Sequence, residues 1–181
     1  MEKKFKLTEN YVVNEFGTKL YQIKCTKTFE YAKKGELGGY IEKEENLSQE
    51  GNAWVAGDAW VSGNARVAGA AWVAGDAQVS GAAQVSGNAR VFGNARVYGN
   101  ACLKSDADHC GFDCFGSSNR HTHAYLTGDN TVEITCGCFR GSIEEFEKRV
   151  KNTHAGTVYE NQYNAIINVI KIKFGLDETS K

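Results

Sequence analysis

The chain has 181 residues, with 21 Lys or Arg against 22 Asp or Glu, a net charge of −1, six cysteines and no proline. No segment carries the basic excess of a nucleic-acid binder, and no stretch reads as a signal peptide or a membrane span. Six cysteines without an export signal point to reduced thiols in a cytoplasm rather than a disulfide framework.

Residues 1–50 read as an N-terminal cap. Tyr11-Val12-Val13 and Leu20-Tyr21-Gln22-Ile23 have strand character on either side of the turn Glu15-Phe16-Gly17-Thr18. Gly38-Gly39-Tyr40-Ile41 and Asn46-Leu47 then lead into the most regular part of the chain. Residues 51–104 are nine hexads without a slip in phase: GNAWVA, GDAWVS, GNARVA, GAAWVA, GDAQVS, GAAQVS, GNARVF, GNARVY, GNACLK. A fixed period of six is the signature of a parallel β-helix. In each hexad Val (Leu103 in the last) and the Ala two before it are the consistently apolar positions, so both should face inward while the neighbours of Val face out. Gly followed by Asn or Asp supplies the corner, because these residues tolerate the left-handed backbone that a tight bend needs. The end of such a solenoid exposes unpaired strand edges, which explains the need for a cap.

This pattern resembles the hexapeptide-repeat, left-handed β-helix superfamily, in which three hexads form one triangular coil. The resemblance implies about three coils stacked about 4.8 Å apart, and it makes residues eighteen apart neighbours. Outward columns then read Trp54–Trp72–Arg90, Trp60–Gln78–Arg96 and Arg66–Gln84–Cys102, beside Ala56–Ala74–Phe92 and Ser62–Ser80–Tyr98. Three Trp side chains on the first coils are too much apolar surface to leave in water. An oligomer interface is the preferred reading, ahead of a cap folded over them or a ligand platform. Since hexapeptide β-helices are commonly trimers, the resemblance implies a homotrimer. The stretch GELGGYIEKEENLSQEGNAWV also resembles the entry segment of phage-borne proteins with Gly-Asn-Ala repeats, over roughly residues 16–104, and implies no activity.

Composition changes at residue 105, and residues 105–181 read as a small C-terminal α+β domain. All four His (His109, His121, His123, His154) and four of the six Cys lie beyond that point. Residues 106–119 read as irregular. Tyr125-Leu126-Thr127 and residues 131–135 suggest a hairpin around Gly128-Asp129-Asn130. Ser142 with Glu145 forms a capping box for a helix with Ile143, Phe146 and Val150 on its inner face. A second helix, over about residues 160–174, carries a stripe of Tyr163, Ile166, Ile167, Ile170 and Phe174 and stops at Gly175. CGCFRGSIEEFEKRVKNTH resembles the tail domain of phage and bacterial proteins in which an upstream Gly-Ser and Thr recur, matched here by Gly116-Ser117 and Thr122.

Three chemistries follow from these residues. Acyl transfer is the best-known activity of the resembled superfamily, but it uses a His in a loop that interrupts the coils. These coils are uninterrupted and hold no His, which leaves His109 below them as the sole nearby base. Zinc could use Cys110, Cys114, Cys136 and Cys138, with His109, His121 and His123 near in sequence. The spacings are poor for a knuckle, and small buried thiols are the simpler reading. A catalytic pair such as Cys138 with His154 lacks an accompanying elbow or oxyanion motif. The third chemistry is anion or nucleotide binding. Arg90, Phe92, Arg96 and Tyr98 put guanidinium groups and rings outward on the last coil, and the tail adds Ser117, Arg120, His121, His123, Arg140 and His154.

The sequence therefore points to a mainly β protein: a left-handed parallel β-helix with an N-terminal β cap and a C-terminal α+β domain. The expected role is non-enzymatic binding without a cofactor, in a phage-encoded homotrimer of the host cytoplasm that sequesters a nucleotide-type signal or docks on a host protein in counter-defence. A hexapeptide-type acyltransferase, a nucleotide hydrolase and a structural trimerisation module are the alternatives. Neither nucleic acid nor membrane is an expected partner.

Overall fold

The computed structural model describes residues 2–176. They divide into two units, the first ending at Asp108 and the second beginning at His109.

The first unit opens with a hairpin of β1 (Phe5–Val13) and β2 (Lys19–Cys25), which pairs antiparallel with β3 (Leu37–Ile41). Both expected strands are present, but β1 begins at Phe5, ahead of the expected Tyr11-Val12-Val13, and Gly17 takes φ 78° in the turn between β1 and β2. The nine hexads give nine two-residue strands: β4 (Trp54–Val55), β5 (Trp60–Val61), β6 (Arg66–Val67), β7 (Trp72–Val73), β8 (Gln78–Val79), β9 (Gln84–Val85), β10 (Arg90–Val91), β11 (Arg96–Val97) and β12 (Cys102–Leu103). They stack in parallel as three faces, β4-β7-β10, β5-β8-β11 and β6-β9-β12, with partners eighteen residues apart. Amides of one coil donate to carbonyls of the next, as in Trp54 N to Ala71 O at 3.0 Å and Ala56 N to Val73 O at 2.8 Å. Every repeat Val and Leu103 is fully buried, and the repeat Ala residues are at most 3% exposed. The inner column is therefore apolar along the nine hexads.

The solenoid is longer than the hexads alone. Tyr40 and Ile41 pair in parallel with Trp60 and Val61, and Leu47 bridges Val67, so Ile41 and Leu47 occupy the places of repeat valines. The partners are here twenty residues apart, not eighteen. This preceding coil raises the expected three coils to about four turns. It also joins the hairpin to one face as a six-stranded sheet, β1-β2-β3-β5-β8-β11.

A buried cation fastens the hairpin to the first coil. Lys4 is 1% exposed, and its Nζ donates to Ala53 O at 2.7 Å and more weakly to Gly51 O and Glu50 O. Burial, with Lys27 nearby, pulls its pKa down to about 8.

Two corner glycines differ in how closely the next coil approaches them. Gly87 has φ 57°, and a Cβ there would sit 2.1 Å from Lys104 O; Gly93 has φ 66° with nothing within 4 Å of the same position. Gly93→Ala should cost about 1 kcal/mol of conformational strain alone. Gly87→Ala should cost about 2–4 kcal/mol, because a backbone clash is added. Denaturant melts of the two variants, side by side, isolate the contribution of coil-to-coil approach.

The second unit is a four-stranded antiparallel sheet of β13 (His109–Phe115), β14 (Arg120–Leu126), β15 (Val132–Cys136) and β16 (Phe139–Gly141). Two helices, α1 (Ile143–His154) and α2 (Val158–Phe174), complete it. β13 corrects the expectation of an irregular 106–119 segment: its short polar and Cys residues carry little strand signal, and cross-strand pairing with β14 orders them. Cys114, at the bulge of that pair, takes φ 63°. The capping box is formed, with Ser142 Oγ accepting from Glu145 N at 3.3 Å and Ser142 N donating to Glu145 Oε2 at 2.8 Å. Thr157 caps α2, and Gly175 ends it in the left-handed region. The core between sheet and helices holds Ala124, Ile134, Cys136, Phe146, Val150, Tyr163, Ile166 and Ile170.

Candidate functional site

Trp54 is buried with the Phe29 ring edge-on at 5.5 Å, and Tyr31 stacks on Trp72 at 5.8 Å and 19°. The loop between β2 and β3 thus covers the first Trp column within the chain itself. Trp72 stays 37% exposed and Trp60 lies on another face, so this cover accounts for part of the apolar surface that motivated an oligomer interface.

The residues expected to bind a ligand divide between the two units. In the first unit, Arg90 and Phe92 are exposed, while Tyr98 is half-buried and donates its hydroxyl proton to Gln78 Oε1 at 2.7 Å. Burial raises the Tyr98 pKa, so the phenol is kept neutral. Arg96 stands over Gln78 in the same column. In the second unit, alternation along β14 sends Thr122, Ala124 and Leu126 toward the helices and His121, His123 and Tyr125 to the opposite face. On that opposite face His109 Nδ1 lies 3.0 Å from His123 Nε2, and His121 Nδ1 lies 2.6 Å from Asp113 Oδ1. Arg140 is also there, held by Glu133 through Nε at 2.7 Å and Nη2 at 3.0 Å, and Tyr125 donates to the same carboxylate. Arg140 is therefore committed to an internal ion pair.

Ser117, Arg120 and His154 come together on the helix side. They line a cavity of about 260 Å³ with Ser118, Cys136, Cys138, Phe139, Phe146, Arg149, Val150, Thr153 and Tyr163. Three turns make its mouth. The four-residue loop between Phe115 and Arg120 presents Ser117 and Ser118. The two-residue turn between Cys136 and Phe139, with Gly137 at φ 60°, presents Cys138. The last turns of α1 present Arg149 and, one turn on, Thr153, with His154 beside them.

The walls are fixed by aromatic packing. His154 stacks on Tyr163 at 5.4 Å and 27°, Phe146 meets Tyr163 edge-on at 5.6 Å, and Phe139 packs on Phe146 at 5.0 Å. Burial and the neighbouring Cys136 push the Tyr163 pKa up to about 12, so its hydroxyl stays a neutral donor. The Arg120 guanidinium lies across Gly137, where a Cβ would come within 2.2 Å of Nη1. Among the described residues neither Arg120 nor Arg149 has a carboxylate partner. Two uncompensated guanidinium groups beside hydroxyl donors suit an anion.

Gly116 ties the first turn to this wall. Its φ is 74°, a Cβ there would meet Tyr163 Oη at 2.1 Å, and its N–H donates to Gln162 Oε1 at 3.0 Å. Gly116→Ala should displace the Tyr163 ring, cost about 2 kcal/mol in a thermal melt, and weaken any ligand that uses the cavity.

A larger open groove of about 740 Å³ runs along residues 43–50 and 64–66 in the first unit. Its Lys43 and Arg66 are offset by Glu44, Glu45 and Glu50, and it has no aromatic wall. It offers no concentrated charge to a ligand.

The thiols proposed as zinc ligands are dispersed in character. Cys136 is buried with its Sγ accepting from Thr122 Oγ1 at 3.3 Å, Cys138 and Cys114 are exposed, and Cys110 is half-buried. The turn at Gly137 sends Cys136 inward and leaves Cys138 outside, so the extended geometry that would align the pair is absent. Among the described residues no three His, Cys, Asp or Glu side chains converge on a metal position. No helix among them is long and apolar enough to cross a membrane.

The family model of the YdcK beta solenoid repeat matches residues 59–81 and 83–99. The matched segments lie within the hexads, so the chain is similar to that family in its repeat. No curated protein matches the chain.

Proposed function

We propose that this protein is a non-enzymatic binding protein whose second unit takes a small anion bearing one ring. The observation that carries the reading is the convergence of Arg120 and Arg149 on a 260 Å³ cavity with an aromatic wall. The guanidinium groups meet the anionic group, Ser117, Ser118 and Thr153 add hydroxyl donors, and the ring lies against Phe139, Phe146 and His154. The volume is just below the range of about 300–1,000 Å³ usual for small-molecule sites. That size suits a mononucleotide or a smaller phosphorylated or carboxylated ring better than a whole dinucleotide or ADP-ribose. The nucleotide-type ligand expected from the sequence is retained at that smaller size, and the proposed site uses the tail residues Ser117, Arg120 and His154 without those of the last coil.

The test is recovery of the ligand. Protein purified without added nucleotides is heat-denatured, and the released small molecules are identified by mass spectrometry. A ring-bearing monophosphate or carboxylate, recovered intact, supports the reading. Protein that releases none, and whose melting temperature no mononucleotide or aromatic carboxylate raises, contradicts it.

A further inference from the structure

The cavity holds a group that binding an anion does not require. Cys138 is exposed at the mouth, in the two-residue turn that follows β15, and it shares the cavity with Arg120 and Arg149. Cys136, two residues earlier, is buried and hydrogen-bonded, which removes it from solution chemistry. The second exposed thiol, Cys114, lies in the same unit but outside the cavity.

We propose that Cys138 is a modification site for small anionic disulfides, such as glutathione disulfide, that the two arginines draw into the cavity. The proposal rests on the anion-binding reading given above and adds its regulation. The Cys138 thiol gives its proton to solvent, and the thiolate attacks one sulfur of the incoming disulfide in line with the S–S bond. A new Cys138 S–S bond forms, the original S–S bond breaks, and the departing half leaves as a thiolate that takes up a proton. Cys138 is oxidised and the departing half is reduced. The retained half keeps its carboxylate beside Arg120 and Arg149 and fills the volume that a ligand would need. Oxidation of the thiol pool therefore closes the site, and reduction reopens it.

The two exposed cysteines make an internal control. The full chain is reacted with substoichiometric 5,5′-dithiobis(2-nitrobenzoate), a carboxylated ring disulfide, and separately with neutral 4,4′-dithiodipyridine. Labelled positions are then read by peptide mass spectrometry. With the anionic reagent, Cys138 should be labelled about tenfold faster than Cys114, the scale of local electrostatic enrichment; with the neutral reagent that preference should vanish. The Arg120→Ala/Arg149→Ala protein, checked for an unchanged circular dichroism melt, should lose the anionic preference. Equal labelling of Cys114 and Cys138 by the anionic reagent, or a preference that survives removal of both arginines, overturns the proposal. Calorimetry on Cys138→Ser separates the two readings. A Cys138→Ser protein that binds mononucleotides, beside a wild type without selective labelling, removes the modification site and leaves the binding reading standing. Failure of both assays removes both.

Discussion

Val73→Asp should abolish folding of the solenoid. Val73 is fully buried in the middle of the column Val55–Val73–Val91, with coils above and below it. A carboxylate there has no cation or donor to meet, since its neighbours are Ala and Val side chains and amides already used between coils. Burying such a group costs several kcal/mol, comparable to the stability of a whole domain of about 5–15 kcal/mol. Val73→Ala removes two methyl groups and should cost about 2 kcal/mol, leaving a folded protein. Soluble yield and urea melts of the two variants check the contrast. A Val73→Asp protein that melts like wild type would mean that the repeat valines do not form the core.

Replacing both Arg120 and Arg149 by Ala should have the largest effect on ligand affinity. Each lost hydrogen bond to a charged group removes about 1.5–3 kcal/mol, so the double variant should bind a ring-bearing monophosphate at least about a hundredfold more weakly. Arg140→Ala is the control. Its guanidinium is occupied by Glu133 on the other face of the sheet, so affinity for the same ligand should be unchanged. Calorimetry with a panel of nucleoside monophosphates reads both. Similar losses in the two proteins would point to general charge rather than to this cavity.

The repeat was legible because its physics is local. Gly, Ala and Val recur every six residues, each corner needs φ near 65°, and each Val needs the interior. The preceding coil was hidden by its irregular length: Ile41 and Leu47 do the work of repeat valines, but the twenty-residue spacing breaks the period. The cover over Trp54 and Trp72 was weighed second because Phe29 and Tyr31 meet them through a long-range contact that no local pattern encodes.

The lining of the cavity was legible only in part. Ser117, Arg120 and His154 were singled out with Arg140, His121 and His123, but strand alternation puts the last three on the opposite face of the sheet. Arg149 and Thr153 were missed, although their spacing from Phe146 and Val150 along α1 places all four on adjoining faces of one helix. The Arg-and-ring pattern of the last coil drew attention to Arg90 and Phe92, which are exposed residues of the first unit. What the sequence could not reveal is the convergence of two hairpin turns and a helix end on one cavity.

The most direct measurement is a titration of the ¹⁵N-labelled full chain with a nucleoside monophosphate, followed by amide chemical shifts. Saturable shifts should concentrate at Ser117 and Ser118, at residues 137–139 and along residues 149–154, with the solenoid amides unmoved. Shifts centred on residues 90–98, or no saturable change with any member of the panel, would contradict a ring-bearing anion site in the second unit.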